Sequence, residues 1–179
     1  LSKCGASVVG VDISKDAVVY ARHKYGDENT SYYVGDVTSL KFCDNEFDAA
    51  VGIETIEHIP EYVQYLSELK RVVKENGKII ISTPQKKAEI PNTPFHVHEF
   101  YYDEFIKVLQ SLFIVREVYG LKRQSKPCAE KVSYNNYSDY DIYLAVCENC
   151  KMQYETSDTY NDDYYVSEEN GYKMNYCGR

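Results

Sequence analysis

The feature that most limits the fold is an alternation. Over roughly the first 112 residues, short apolar runs take turns with segments of helical period. The runs are "SVVGVD", "TSYYVGD", "FDAAVGI" and "KIIIST". The first and third are apolar almost throughout, as strands buried on both faces should be. Between them, "KDAVVYARHKY" follows Ser14 as an N-cap and stops at Gly26. "PEYVQYLSELKRVVKENG" opens at Pro60 and ends at Gly77, with Tyr62, Leu66, Leu69 and Val73 on one face. "YYDEFIKVLQSL" turns Phe105, Val108 and Leu112 inward. Strands alternating with helices predict a parallel sheet covered by helices. Two further strands, "FIVREVYGL" and "YDIYLAVCE", have only a polar loop over about 121–139 between them, so they pair antiparallel.

From residue 151 the pattern stops. "KMQYETSDTYNDDYYVSEENGYKMNYCGR" has little aliphatic content and no period, which predicts disorder or loose packing. The organisation read from the chain is one domain over 1–150 and a Tyr-rich acidic tail over 151–179.

Charge narrows the partners. The chain carries 20 basic and 28 acidic residues, a formal net charge of −8. Non-specific affinity for nucleic acid comes from Lys and Arg displacing counterions, so a phosphate-tracking surface is not expected. No run approaches the roughly 18 apolar residues that span a bilayer. Six irregularly spaced cysteines fit a reducing compartment, so the expectation is cytoplasmic. "CENC", at Cys147 and Cys150, is half a zinc site. Cys128 or Cys177 could complete it, but neither sits in a second such pair, and Cys147 reads as a core strand position.

In an open parallel sheet, ligands bind at the carboxyl ends of the strands. Asp12, Asp36 and Glu54 stand at three such ends. One such acid could be a helix cap or a solvated loop residue. Three, in consecutive strand–helix units, point to a ligand held along one edge. An acid in the place of Asp12 can accept from both hydroxyls of a ribose, and one in the place of Asp36 can accept from an amino group.

In order and spacing, "VVGVDIS", "GDVTSL", "FDAAVGIETIEHI", "LSELKRVVKENGKIIISTP" and the closing "DIYLAVCE" resemble the class I S-adenosylmethionine-dependent methyltransferases. The resemblance runs from Leu1 to about Glu148 and implies a Rossmann-like α/β three-layer sandwich, mostly parallel with a closing antiparallel strand. It implies S-adenosylmethionine as cofactor. Asp12 would hold the ribose, with Ile13 against the adenine. Asp36 would take the adenine amino group, with Val37 beside it. Ile53, Glu54 and Thr55 would line the pocket near the methionine part. A nicotinamide-dependent Rossmann enzyme also places an acid after its second strand, but the closing antiparallel strand fits the methyltransferase pattern better.

Methyl transfer from a sulfonium is an in-line displacement, so the protein aligns the partners and, for oxygen or nitrogen acceptors, removes a proton. Histidines suit that task, and there are four. His23 reads as a surface helix residue. His58 and His96 are the candidate catalytic residues, with His98 beside them. "PFHVHEF" resembles a loop of methyltransferases that act on sugars and cell-surface glycans, with His98 where they carry arginine. The expected acceptor is therefore a small molecule or sugar-like compound. Glu54, Glu57 and His58, with His96 or His98, also resemble the metal set of small-RNA 2′-O-methyltransferases. The fuller histidine loop of that group is absent, so a metal-free site is expected.

The family's first strand and Gly-rich turn do not occur within the 179 residues, so the resemblance places them before Leu1. Two expectations follow. Either the chain is a fragment of a longer methyltransferase, with weak cofactor binding, or it is a non-catalytic remnant that acts through protein contacts.

Overall fold

The computed structural model of the protein describes residues 1–87, 94–122, 129–132, 137 and 140–150. Pro91, Cys128, Cys177 and the tail from residue 151 lie outside the described residues. The elements are β1 (Val8–Asp12), α1 (Lys15–Tyr25), β2 (Thr30–Val34), β3 (Phe47–Gly52), α2 (Tyr62–Val72), β4 (Val73–Pro84), α3 (Tyr102–Gln110), β5 (Ile114–Leu121), β6 (Ala129–Lys131) and β7 (Ile142–Glu148). The alternation read from the sequence is present. The Ser14 hydroxyl accepts from the Ala17 amide at 3.3 Å and caps α1.

The strands form two sheets. β1 pairs with β2, parallel, and the other five run in the order β3-β4-β7-β5-β6. β3 and β4 are parallel. β7 inserts between β4 and β5 and is antiparallel to both. The antiparallel pairing of the last two long strands is thus as expected, while β6 in the polar loop was not foreseen. Among the described residues, β1 and β3 are each hydrogen-bonded on one side only. That explains a departure from the sequence reading. β1 and β3 are not buried on both faces: Val51 is 47% exposed, and β1 is half-buried along its length.

The core lies in the five-stranded sheet. Ile79 and Ile81 of β4 meet Tyr143, Ala145 and Cys147 of β7, and all five are fully buried. Inward residues on β7 alternate, as the two-residue period of a strand requires. Helix α2 buries Tyr65, Leu66, Leu69 and Val72, and α3 buries Tyr102, Phe105, Ile106 and Leu109. Val108 and Leu112 only flank that face.

Helix α2 ends at Val72, earlier than the Gly77 stop suggested. The cause lies far along the chain. The buried Asn149 side-chain amide donates to the carbonyls of Lys70 at 2.9 Å and Val73 at 2.7 Å. The Asn149 backbone also bonds Asn76 and Gly77. The last carbonyls of α2 are satisfied by this side chain, so the backbone turns into β4 at Val73. Cys147 is buried, which pushes its thiol up to about 12, and Asn149 is the helix clamp.

Candidate active site at the strand ends

Asp12 ends β1 and pairs in register with Val34, the last residue of β2. The Gly35 amide donates to the Asp12 carbonyl at 3.0 Å, so the chain passes directly from this pairing to Asp36. The two acids are thus neighbours on one edge of the parallel pair. One carboxylate oxygen of Asp12 accepts from the Ser14 amide at 2.7 Å, which fixes the turn into α1. Ile13 stands 75% exposed beside it. The Thr38 hydroxyl and amide, at 2.7 and 2.8 Å, hold the Asp36 carboxyl below its ordinary range. Val37 is half-buried and packs against the core.

The loop bearing Asp36 and Val37 is tied down by one face of α2. Gln64 donates to the Thr38 carbonyl at 3.0 Å, and the Leu40 amide donates to Glu68 at 2.7 Å. Arg71 donates to the carbonyls of Leu40 at 2.9 Å and Phe42 at 2.8 Å, and to the carboxylates of Asp44 and Glu68. Positions 64, 68 and 71 follow one another at helical spacing on that face.

The end of β3 is tighter. Gly52 is buried, and a Cβ there would stand 2.0 Å from the Tyr65 hydroxyl oxygen, so only glycine fits. Ile53 is half exposed. Glu54 has φ of 49°, the left-handed region that non-glycine residues avoid. Ser82, at the end of β4, holds it there: its hydroxyl accepts from the Glu54 amide at 3.0 Å and donates to the Glu54 carboxylate at 3.2 Å. Backbone strain of this kind concentrates at ligand sites and costs about 1–3 kcal/mol. Thr55 follows, its hydroxyl donating to the Ile53 carbonyl at 3.0 Å.

A short 3-10 turn, Ile56–His58, comes next. Glu57 is fully buried. The Thr83 hydroxyl donates to one of its carboxylate oxygens at 3.3 Å, and the other oxygen, Oε1, has no hydrogen-bond partner. Burial pushes this carboxyl above its ordinary range. The Glu57 carbonyl accepts from the amides of both Val97, at 2.8 Å, and His98, at 3.1 Å. That double bond to the backbone brings the histidine loop onto the turn. The His58 and His96 rings meet edge to face, 5.0 Å between centroids. His58 Nδ1 lies 2.8 Å from the Phe95 carbonyl, and His96 Nδ1 lies 2.8 Å from Glu99.

The structure therefore brings together His58, His96 and Glu57. It separates His98, whose Nε2 turns to Glu104 at 2.8 Å and whose ring packs on Tyr62 and Phe100. The sequence reading passed over Ser82, Thr83 and Glu99. The first two had a signal: hydroxyls at the end of a strand whose neighbour also ends in acids.

The model of the methyltransferase domain family matches residues 1–81, the stretch that holds β1 to β3, Asp12, Asp36 and Glu54. Over that stretch the chain is similar to the S-adenosylmethionine-dependent methyltransferases. A probable S-adenosylmethionine-dependent methyltransferase of Mycolicibacterium smegmatis is 28% identical over 120 residues, covering 64% of this chain and 46% of that protein. A demethylmenaquinone methyltransferase of Staphylococcus saprophyticus is 33% identical over 108 residues, covering 59% of this chain and 43% of its own. Among solved structures, a methyltransferase of Thermotoga maritima, described as a possible histamine N-methyltransferase, superposes with a TM-score of 0.66. It shares 15% identity over 78% of this chain and 72% of that one, which establishes the Rossmann-like methyltransferase fold. The chain spans less than half the length of these two curated relatives.

Proposed function

We propose that this chain binds S-adenosylmethionine along its strand ends and serves methyl transfer to a small-molecule or sugar-like acceptor. The observation that carries this reading is the pairing of Asp12 with the end of β2, which sets two acids side by side within the family-matched segment. Asp12 holds the ribose hydroxyls and Asp36, kept ionised by Thr38, takes the adenine amino group. Ile13 and Val37 flank the adenine, and Ile53 and Glu54 border the methionine part. His58 and His96 act on the acceptor. Their Nδ1 atoms carry protons toward the Phe95 carbonyl and the Glu99 carboxylate, which leaves the Nε2 lone pairs to take one. The relatives' names support a small-molecule acceptor and the cofactor. The free thiols of Cys4, Cys43 and Cys147 fit a cytoplasmic setting. No helix among the described residues is long and apolar enough to cross a membrane.

The one-sided pairing of β1 and β3 among the described residues favours a second part of the reading: this 179-residue chain holds the cofactor weakly. Calorimetric titration with S-adenosylhomocysteine tests both parts. Weak, saturable binding that disappears in Asp12→Ala supports the reading, and binding unchanged in that variant refutes the assigned site. A complete lack of affinity supports the non-catalytic alternative, in which the chain acts through protein contacts.

A further inference from the structure

We infer that Glu57, His58 and His96 form a binding site for a divalent transition-metal ion. One potential ligand atom from each residue lies within 4.8 Å of the other two. His58 Nε2 is 3.9 Å from Glu57 Oε1.

Three features point to a cation. The first is Glu57 itself. Its Oε1 is buried without a hydrogen-bond partner, in a residue with no exposed surface, and it faces His58. An unsatisfied buried carboxylate oxygen is destabilising, and a coordinated cation would offset that cost. The second is the tautomer of each imidazole. Nδ1 of His58 faces a carbonyl, which can only accept, so Nδ1 carries the proton and Nε2 keeps its lone pair. Nδ1 of His96 faces the Glu99 carboxylate, with the same result. A ligating histidine whose second nitrogen donates to a carbonyl or carboxylate is the usual outer arrangement of a metal site. The third is rigidity. The Glu57 carbonyl holds the amides of Val97 and His98, so the loop bearing His96 is fixed to the turn bearing the other two ligands.

Two imidazoles and one carboxylate suit zinc, cobalt or iron(II), and leave a fourth position open. Bonds of about 2.0–2.2 Å draw such a set closer than its present spacing, a shift the exposed His58 side chain can make. His98 and Glu104 pair with each other and stay outside the set. With a cation bound, the Nε2 atoms hold the metal instead of acting as bases, and an acceptor hydroxyl in the open position would lose its proton more readily. The site rests on its own geometry, and its occupancy can be measured whether or not S-adenosylmethionine binds.

The test uses the 179-residue chain, stripped with a chelator and titrated with Co2+ or Zn2+ alone. One equivalent of Co2+ should bind and give visible d–d bands of a low-coordinate nitrogen–oxygen site. With Zn2+, nitrogen-detected NMR should shift the Nε2 of two histidines of the four, His58 and His96. Glu57→Gln, His58→Ala and His96→Ala should each weaken binding at least about tenfold, and Glu99→Ala by about ten- to a hundredfold. His98→Ala and His23→Ala should leave it unchanged. The inference is overturned if Co2+ binding is not saturable or survives both His58→Ala and His96→Ala. A spectrum dominated by thiolate bands, which would move the metal to cysteine, also overturns it. The NMR measurement needs no variant, so a substitution that unfolds the chain does not blunt the test.

Discussion

The β1–α1–β2 unit and the five-stranded sheet are built from the same kinds of segment, yet they are packed very differently. In the first, Val18 is the one core residue, while Ile13, Val19, Tyr20, Tyr25, Tyr33 and Val34 all stand more than two-fifths exposed. In the second, β4 and β7 are hydrogen-bonded on both sides and carry a continuous core with α2 and α3. The proposed cofactor acids Asp12 and Asp36 belong to the lightly packed unit. The Glu57, His58 and His96 cluster grows from the well-packed one. The proposed cofactor and acceptor sites thus rest on supports packed to unequal degrees.

The strongest way to break this comparison is to excavate each side. Phe105→Ala removes a fully buried ring from α3 and should cost about 3–5 kcal/mol. Val18→Ala removes two methyl groups from α1 and should cost about 1–2 kcal/mol. Urea denaturation followed by circular dichroism measures both. Equal losses would show that the two regions are stabilised alike.

Arg71→Ala comes next. It removes the donor that ties the loop after β2 to α2 through the carbonyls of Leu40 and Phe42 and the carboxylate of Asp44. The expected loss is about 2 kcal/mol. Amide exchange should accelerate over residues 36–46 and leave β4 and β7 protected. Exchange that rises evenly through β7 would mean the loop is part of the main cooperative unit.

The smallest effect concerns Glu148, at the end of β7. Arg116 and Lys78, at 2.9 and 2.6 Å, hold its carboxyl down at about 2, against an ordinary value of 4.5. A carboxyl with a depressed folded-state pKa contributes stability above its unfolded value, and that contribution fades as pH falls toward the folded one. Both partners are substantially exposed, so the contribution is about 1 kcal/mol. Thermal melts of wild type and Glu148→Gln should differ at pH 6, draw together as pH falls below about 4.5, and converge only at about pH 2 and below. A gap of the same size at pH 6 and at about pH 2 would assign the effect to packing.

Local pattern was enough for most of the elements. Apolar runs, the Ser14 cap and the face of α2 are written within a few residues of where they act, and the structure places them there. The end of α2 was misread because the group that terminates it is Asn149, a partner with no local signature. The burial of β1 and β3 was misread because a strand's burial depends on its neighbours as much as on its own composition. At the site, the acids could be found because strand ends are a topological position. His58 and His96 could be grouped on the same ground, but that His96 and not His98 meets His58 could not be read, since it depends on one carbonyl, that of Glu57, accepting from two amides of a distant loop.

The Asn149 clamp also sets an order in time. A ribosome delivers α2 and β4 long before residue 149, so the carbonyls of Lys70 and Val73 must wait for their donor until nearly the whole domain has emerged. β7, the strand that carries this donor toward α2, also fills the slot between β4 and β5. Long-range pairings of this kind slow folding, because the intervening chain must be ordered before the contact rewards it. Until then the nascent sheet stays open at its middle, with β4 and β5 each lacking a neighbour. In the cell, that interval is when this protein is most exposed to wrong pairings and most in need of a chaperone.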